Sequence, residues 1–363
     1  MVIGIYVPFL PAWFEGRGLS PGQVAMILAV AMWAQFPVGL MVASLSEKSG
    51  HRKGVIVLIS AMVFIGLMAF QVFEGYVALL LGWLMIGTLL TSSIPLIDSM
   101  ATLPVNVSRF EYGQVRRWGS VGFIVASTLG GIYLHGRHTE SILTLLTIAA
   151  ALMLMAAILL PNQRSLPRQS HRSATMDLLA NKRFVILLIT AAMLQSSHAG
   201  LYGFATIHWL DAEISERTVG LLWAEGVLAE VLFFSQGRRI LKWFPIHRIL
   251  LIAAIAGLVR WSVLGMTTNL AFLIMVQTLH ALTFAGTHLA TVSYISKNID
   301  SSHSATAQGL YSGLAMGLVF GLAMILAGKA YMTHEGYVFL VMLIFSVLGG
   351  VGAMSLWKMD SKC

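Results

Sequence analysis

The sequence predicts an all-α membrane protein with twelve transmembrane helices in two six-helix bundles. Three observations carry that expectation. Of 363 residues, 57% are hydrophobic and only 10% charged, where a soluble globule carries about 25% charged residues; the mean hydropathy is +0.81. Long apolar runs alternate with short polar joints, the pattern of a polytopic helical chain. The basic residues sort to one side. With the joint between the second and third runs taken as cytoplasmic, 18 of the 23 Lys and Arg fall on that side. Only Arg17, Arg137, Arg217 and Lys329 fall on the other. By the positive-inside rule both termini are then cytoplasmic.

The apolar segments are 1–14, 20–45, 55–73, 76–103, 117–134, 140–160, 183–209, 218–237, 249–267, 270–296, 307–328 and 335–357. A span needs roughly 20 apolar residues, so the first falls short. It has neither the charged start nor the cleavage site of a signal peptide, and we expect a longer native N terminus that completes it. The joint "ASLSEKSGHRK" (43–53) is basic and short. The fourth span carries Asp98, and "FEYGQVRRWGSVGF" (110–123) sets Arg116 and Arg117 at the lip of the fifth. The longest joint, 161–182, is polar and basic, and divides residues 1–160 from 183–363 with six spans on each side. The eleventh span carries Gly309, Gly313, Gly317 and Gly321. Small residues at that spacing share one face and let helices approach closely, so we read them as packing.

Charges inside spans need a partner, a wet cavity or a function, because each costs about 2.5–3.5 kcal/mol at the bilayer centre. They are Asp98, Glu225 and Glu230 on the eighth span, and Arg260 on the ninth. His198 and His208 lie on the seventh span, His280 and His288 on the tenth. Glu225 and Glu230 are five residues apart, roughly 140° in azimuth, so both cannot face one cavity equally well. Arg260 needs an anion: a carboxylate of the C-terminal spans or the substrate itself.

Several function classes are excluded. The net charge of +8 is spread over the joints as topology and forms no nucleic-acid patch. The single cysteine, Cys363, leaves no disulfide framework and no thiolate metal centre. His280 and His288 stand two turns, about 12 Å, apart and cannot chelate one ion. No catalytic constellation supports an embedded enzyme or a haem carrier, and no cofactor is expected.

The 6 + 6 layout with a long middle loop resembles the major facilitator transporters, two related bundles around a midplane site. "ASLSEKSGHRK" is a degraded form of that superfamily's loop between helices 2 and 3. At scattered points the chain resembles lactose permease and its proton-symporter relatives. That likeness matches Asp98 and Arg116 to a helix 4 carboxylate and a helix 5 arginine, Glu225 to a helix 8 carboxylate, Arg260 to a helix 9 arginine and His280 to a helix 10 histidine. The second helix 10 carboxylate of those relatives falls on Thr283, so their proton site does not transfer whole. "GIYVPFLPAWFEGRGLS", "PLIDSMA", "EYGQVRRWGSVGF", "LQSSHAGLYGFATIHW", "GLLWAEGVLAEV", "VRWSVLGMTT" and "QTLHALTFAGTHLA" are similar, in order, to signatures of the 3-phenylpropionate transporter group of the same superfamily.

These resemblances imply a monomeric proton symporter of the bacterial inner membrane that imports a small aromatic carboxylate by alternating access. The expected proton-coupling set is Glu225 first, then Glu230, with Arg260 and His280 beside them. The substrate set is Asp98 paired with Arg116, together with Trp118, His198, Tyr202, Trp223 and Phe284. Either Arg116 or Arg260 supplies the cation a carboxylate needs, and the aromatic residues wall its ring. The same scaffold serves a nucleoside or a sugar, which is the rival expectation.

Overall fold

In a computed structural model, residues 1–101, 112–161 and 174–360 are described. Their regular structure is helical throughout, and no strand occurs among them. The first half comprises α1 (Ile3–Gly16), α2 (Pro21–Ser49), α3 (Arg52–Phe70), α4 (Tyr76–Ala101), α5 (Tyr112–Leu134) and α6 (Glu140–Leu159). The second comprises α7 (Ala174–Ala180), α8 (Lys182–Ser196), α9 (Ala199–Asp211), α10 (Glu216–Ser235), α11 (Gly237–Trp243), α12 (Ile246–Met266), α13 (Leu270–Gln277), α14 (Thr287–Asn298), α15 (Ser301–Tyr311), α16 (Val319–Thr333) and α17 (Tyr337–Asp360). Among the described residues, ten helices or helix pairs are long and apolar enough to cross a membrane, and Trp118–Leu134 is a shorter apolar helix.

Local chemistry explains the joints. Asn181 accepts from the backbone amides of Arg183 and Phe184 and so starts α8, the usual role of an N-cap side chain. Gly136 turns the chain between α5 and α6 at φ 70°, a conformation that penalises any Cβ.

The chain divides into two compact units, Met1–Ser170 with Ser215–Ala224, and His171–Ile214 with Glu225–Cys363. Unit 1 is built on an aromatic cluster in which Trp13, Phe14, Phe70 and Trp83 meet with ring centroids 5.2–6.4 Å apart. Arg17 closes one end of it. Its Nε and Nη2 donate to the two Glu140 oxygens at 2.6 and 2.9 Å, and its remaining donors reach the carbonyls of Phe73 and Gln71. That single guanidinium joins α1, the end of α3 and the start of α6. Unit 1 also takes in the first turns of α10. There Gly131 and Gly220 face each other so closely that a Cβ on Gly131 would meet Glu216 O at 2.4 Å. A Cβ on Gly220 would meet Ser127 O at 2.3 Å.

Unit 2 packs α12 and α17 against α8 through small residues. Ala253, Ala254 and Ala353 are buried with Leu187, Leu194 and Leu250. A Cβ on Gly349 would strike Leu194, and one on Gly352 would strike Thr190. Small residues at such contacts are how helices associate where lipid removes the hydrophobic drive.

Three spans read as continuous in the sequence are interrupted. The α8–α9 span turns at Ser197 and His198. Between α13 and α14 the chain passes through a turn and then a π-helical stretch, Ala281–Gly286. A second π-helical stretch, Ser312–Leu318, joins α15 to α16. It interrupts the regular α-helical winding across the glycine stripe. Gly317 and Gly321 are accordingly buried, while a Cβ on Gly309 would meet nothing within 4 Å.

Candidate functional site

The most polar buried cluster among the described residues lies inside unit 2, around Arg260. The face of α12 that carries Ala253, Ala256, Gly257, Arg260, Trp261 and Leu264 is buried, so the helix turns Arg260 inward with its smallest residues and leaves Arg248 exposed near its start. The guanidinium is fully buried. Nη1 donates to His280 Nδ1 and to Thr283 Oγ1, both at 3.1 Å, and Nη2 donates to Gln277 Oε1 at 2.7 Å. Nε has no partner. All the acceptors are neutral, and among the described residues no carboxylate lies within 4.0 Å of this cation. A buried charge in that state is strongly attracted to any anion that reaches it.

The arginine dictates the state of His280. A guanidinium can only donate, so the Nδ1 that faces it must accept, and the ring proton sits on Nε2. That Nε2 faces Glu230 Oε2 at 3.5 Å. Gly226, one turn before Glu230, lies against the His280 ring, and a Cβ there would be in ordinary contact with it at 3.6 Å.

The breaks in the spans bring the remaining polar groups into line. His198 lies at the α8–α9 turn, where Nδ1 donates to the Gln195 carbonyl at 3.0 Å. Its Nε2 therefore accepts, from Thr283 Oγ1 at 3.0 Å. Thr283, in the π-helical stretch, is thus shared by Arg260 and His198. Gln195 Nε2 donates to the Phe284 carbonyl and to Tyr311 Oη, and His288 Nδ1 lies 3.3 Å from the same oxygen. Irregular backbone at membrane depth is tolerated where side chains satisfy the freed groups. Here it also aims them. Aromatic rings cover the cluster: Phe284 stacks on His280 at 5.1 Å and meets His198 edge-on at 5.7 Å. Tyr202 lies 6.3 Å from His198.

Of the residues expected from sequence, His198, Tyr202, Glu230, Arg260, His280 and Phe284 come together in this cluster. Glu225, half-buried, has no ion pair among the described residues; Arg260 meets neutral side chains instead of that carboxylate. Trp223 is buried and belongs to unit 1. Trp118 is 74% exposed. The side chains of Asp98 and Arg116 lie outside the described residues, as does most of the 161–182 loop. Gln195, Gln277 and Tyr311 were missed because an uncharged polar residue in an apolar run gives a weak signal. The run "QSSHAG", polar at the middle of a span, was the available clue.

Three comparisons bear on this geometry. The model of the MFS_1 like family matches residues 1–342. A curated protein of Escherichia coli (strain K12), "Probable 3-phenylpropionic acid transporter", is 32% identical over 95% of this chain and 91% of its own length. The maltose permease of Geobacillus stearothermophilus is 26% identical over 84% of this chain and 78% of its own. Among solved structures, a point mutant of the nucleoside transporter NupG superposes with a TM-score of 0.85 at 18% identity, covering 99% of this chain and 96% of that one.

Proposed function

This chain belongs to the MFS_1 like family of major facilitator transporters, multi-pass membrane proteins that are not enzymes, and on that premise we propose that it is a proton symporter for a small aromatic carboxylate such as 3-phenylpropionate. One observation carries the reading. Arg260 is a buried cation held only by neutral acceptors, next to the rings of Phe284, His280, His198 and Tyr202. A carboxylate has an unopposed positive charge to bind, and its phenyl ring has aromatic walls. The name of the Escherichia coli relative, a probable 3-phenylpropionic acid transporter, agrees with that chemistry.

In this reading Glu230 takes the proton. As a carboxylate it draws the Nε2–H of His280, which in turn holds the Nδ1 lone pair against Arg260. Protonated, it releases His280, and Arg260 exchanges the imidazole for the substrate carboxylate. Binding of proton and of anion are then linked through one ring. Asp98 and Arg116 enter the proposal as the corresponding pair of the N-terminal spans. The protein works as a monomer in the bacterial inner membrane, with both termini cytoplasmic by the charge asymmetry.

Proteoliposomes test the assignment. A pH gradient, acid outside, is expected to drive accumulation of labelled 3-phenylpropionate above equilibrium, while uridine and lactose compete weakly. Accumulation of uridine or lactose in its place would transfer the site to a neutral solute.

A further inference from the structure

Away from the Arg260 cluster, unit 2 contains a cavity of about 250 Å³ where the start of α8, the α11–α12 joint and the ends of α14 and α17 meet. Its polar wall is Arg183, His247, Lys297 and Asp360, and its apolar wall includes Leu187, Leu241, Phe244 and Leu356. Arg183 forms an ion pair with Asp360, and His247 Nδ1 lies 2.6 Å from the other oxygen of the same carboxylate. Each oxygen of Asp360 thus has a cationic or imidazole partner. Arg183 Nε is buried with no partner, and Lys297, at the end of α14, is exposed with no hydrogen bond among the described residues. Arg238, Arg239 and Lys242 on α11 and Arg248 on α12 are exposed on the two helices whose joint lines it.

We propose that this cavity holds the phosphate of an anionic phospholipid headgroup. The charge favours a phosphate: with Asp360 engaged by Arg183 and His247, the ammonium of Lys297 remains to bind an oxyanion. The mixed lining favours a lipid over free phosphate, because half the wall is apolar side chains that a soluble anion would leave idle. Depth favours it too. Trp243 is 75% exposed and Phe244 43% exposed at the mouth, and aromatic residues of this kind sit at headgroup level. Clusters of Lys and Arg at the cytoplasmic ends of spans recruit anionic lipid through the surface field as well as by contact.

The test is native mass spectrometry of the purified full chain with phosphatidylglycerol and with phosphatidylcholine of the same acyl chains. One phosphatidylglycerol is expected to be retained in preference to phosphatidylcholine. Lys297→Gln, an exposed change that spares the fold, should weaken that retention about fivefold, the effect of one juxtamembrane cation. Arg183→Gln combined with Asp360→Asn, which removes the ion pair without stranding a charge, should abolish the preference. Equal retention of the two lipids by the native chain, or a preference unchanged in both variants, overturns the site. Displacement of phosphatidylglycerol by millimolar inorganic phosphate overturns the lipid assignment in favour of a soluble anion.

Discussion

Arg260 Nη1 donates to His280 Nδ1 at 3.1 Å, and the direction of that bond leaves only Nε2 to carry the imidazole proton. A doubly protonated His280 would point an N–H at an N–H, so the ring cannot charge while Arg260 stays in place. Charging of His280 and its bond from Arg260 are thereby mutually exclusive in this arrangement, and an anion that draws Arg260 away removes the conflict.

Replacing Arg260 tests the anion site. Arg260→Ala should raise the Kd for 3-phenylpropionate at least 30-fold, about 2 kcal/mol or more for truncating a buried charged partner. Arg260→Lys should rescue little, since three acceptors are met by a planar fork that an ammonium cannot reproduce. Equilibrium binding to purified protein measures both, and wild-type affinity in the lysine variant would contradict the geometry.

Glu230 is the carboxylate at His280, so Glu230→Gln should abolish uphill accumulation while counterflow, which needs no net proton movement, continues. Glu225→Gln should keep most of its accumulation. The comparison is made in the same vesicles with and without a pH gradient; the opposite pattern would return the coupling role to Glu225.

Thr283→Val keeps the shape of the side chain and deletes the hydroxyl shared by Arg260 and His198. Two buried polar groups then each lose a partner, at a cost of about 1–3 kcal/mol apiece. The purified variant should melt several degrees lower and bind substrate more weakly. Thr283→Ser should restore both, which a loss of packing alone would not predict.

On α5 two glycines make a contrast. Gly131→Ala would drive a Cβ to 2.4 Å from Glu216 O, a backbone atom that cannot turn aside, whereas Gly119→Ala meets nothing within 4 Å. The first should lower Tm by the equivalent of about 1–3 kcal/mol, and the second should be neutral or stabilising. Thermal unfolding in detergent separates them.

Hydropathy made the spans legible because lipid allows few other solutions for a backbone, and Arg260 and His280 stood out because a charge or imidazole in an apolar run is costly. The choice between Glu225 and Glu230 was not legible. Helical geometry shows that they diverge, but which one faces inward depends on how α10 is rotated. Thr283 read as a lost carboxylate. In the structure its hydroxyl is the joint of the cluster, a role set by Arg260 on α12 and His198 at the α8–α9 turn that no local pattern encodes.

The π-helical stretch Ala281–Gly286 has an arithmetic consequence. Such a turn contains one residue more than the α turn it replaces, so everything after it is out of phase with everything before it by about 100°. A helical wheel drawn for the whole segment from Leu270 to Asn298 therefore misfiles one end: if His280 is set toward Arg260, then His288 and Tyr294 are wrongly aimed. Deleting Ala281, Leu282 or Ala285 would keep every side chain named in both sites and still rotate His288 from Tyr311 and Tyr294 from the Arg183 guanidinium that lies over its ring. The length of that turn, more than the identity of its residues, keeps the inner cluster and the basic rim in register on one helix.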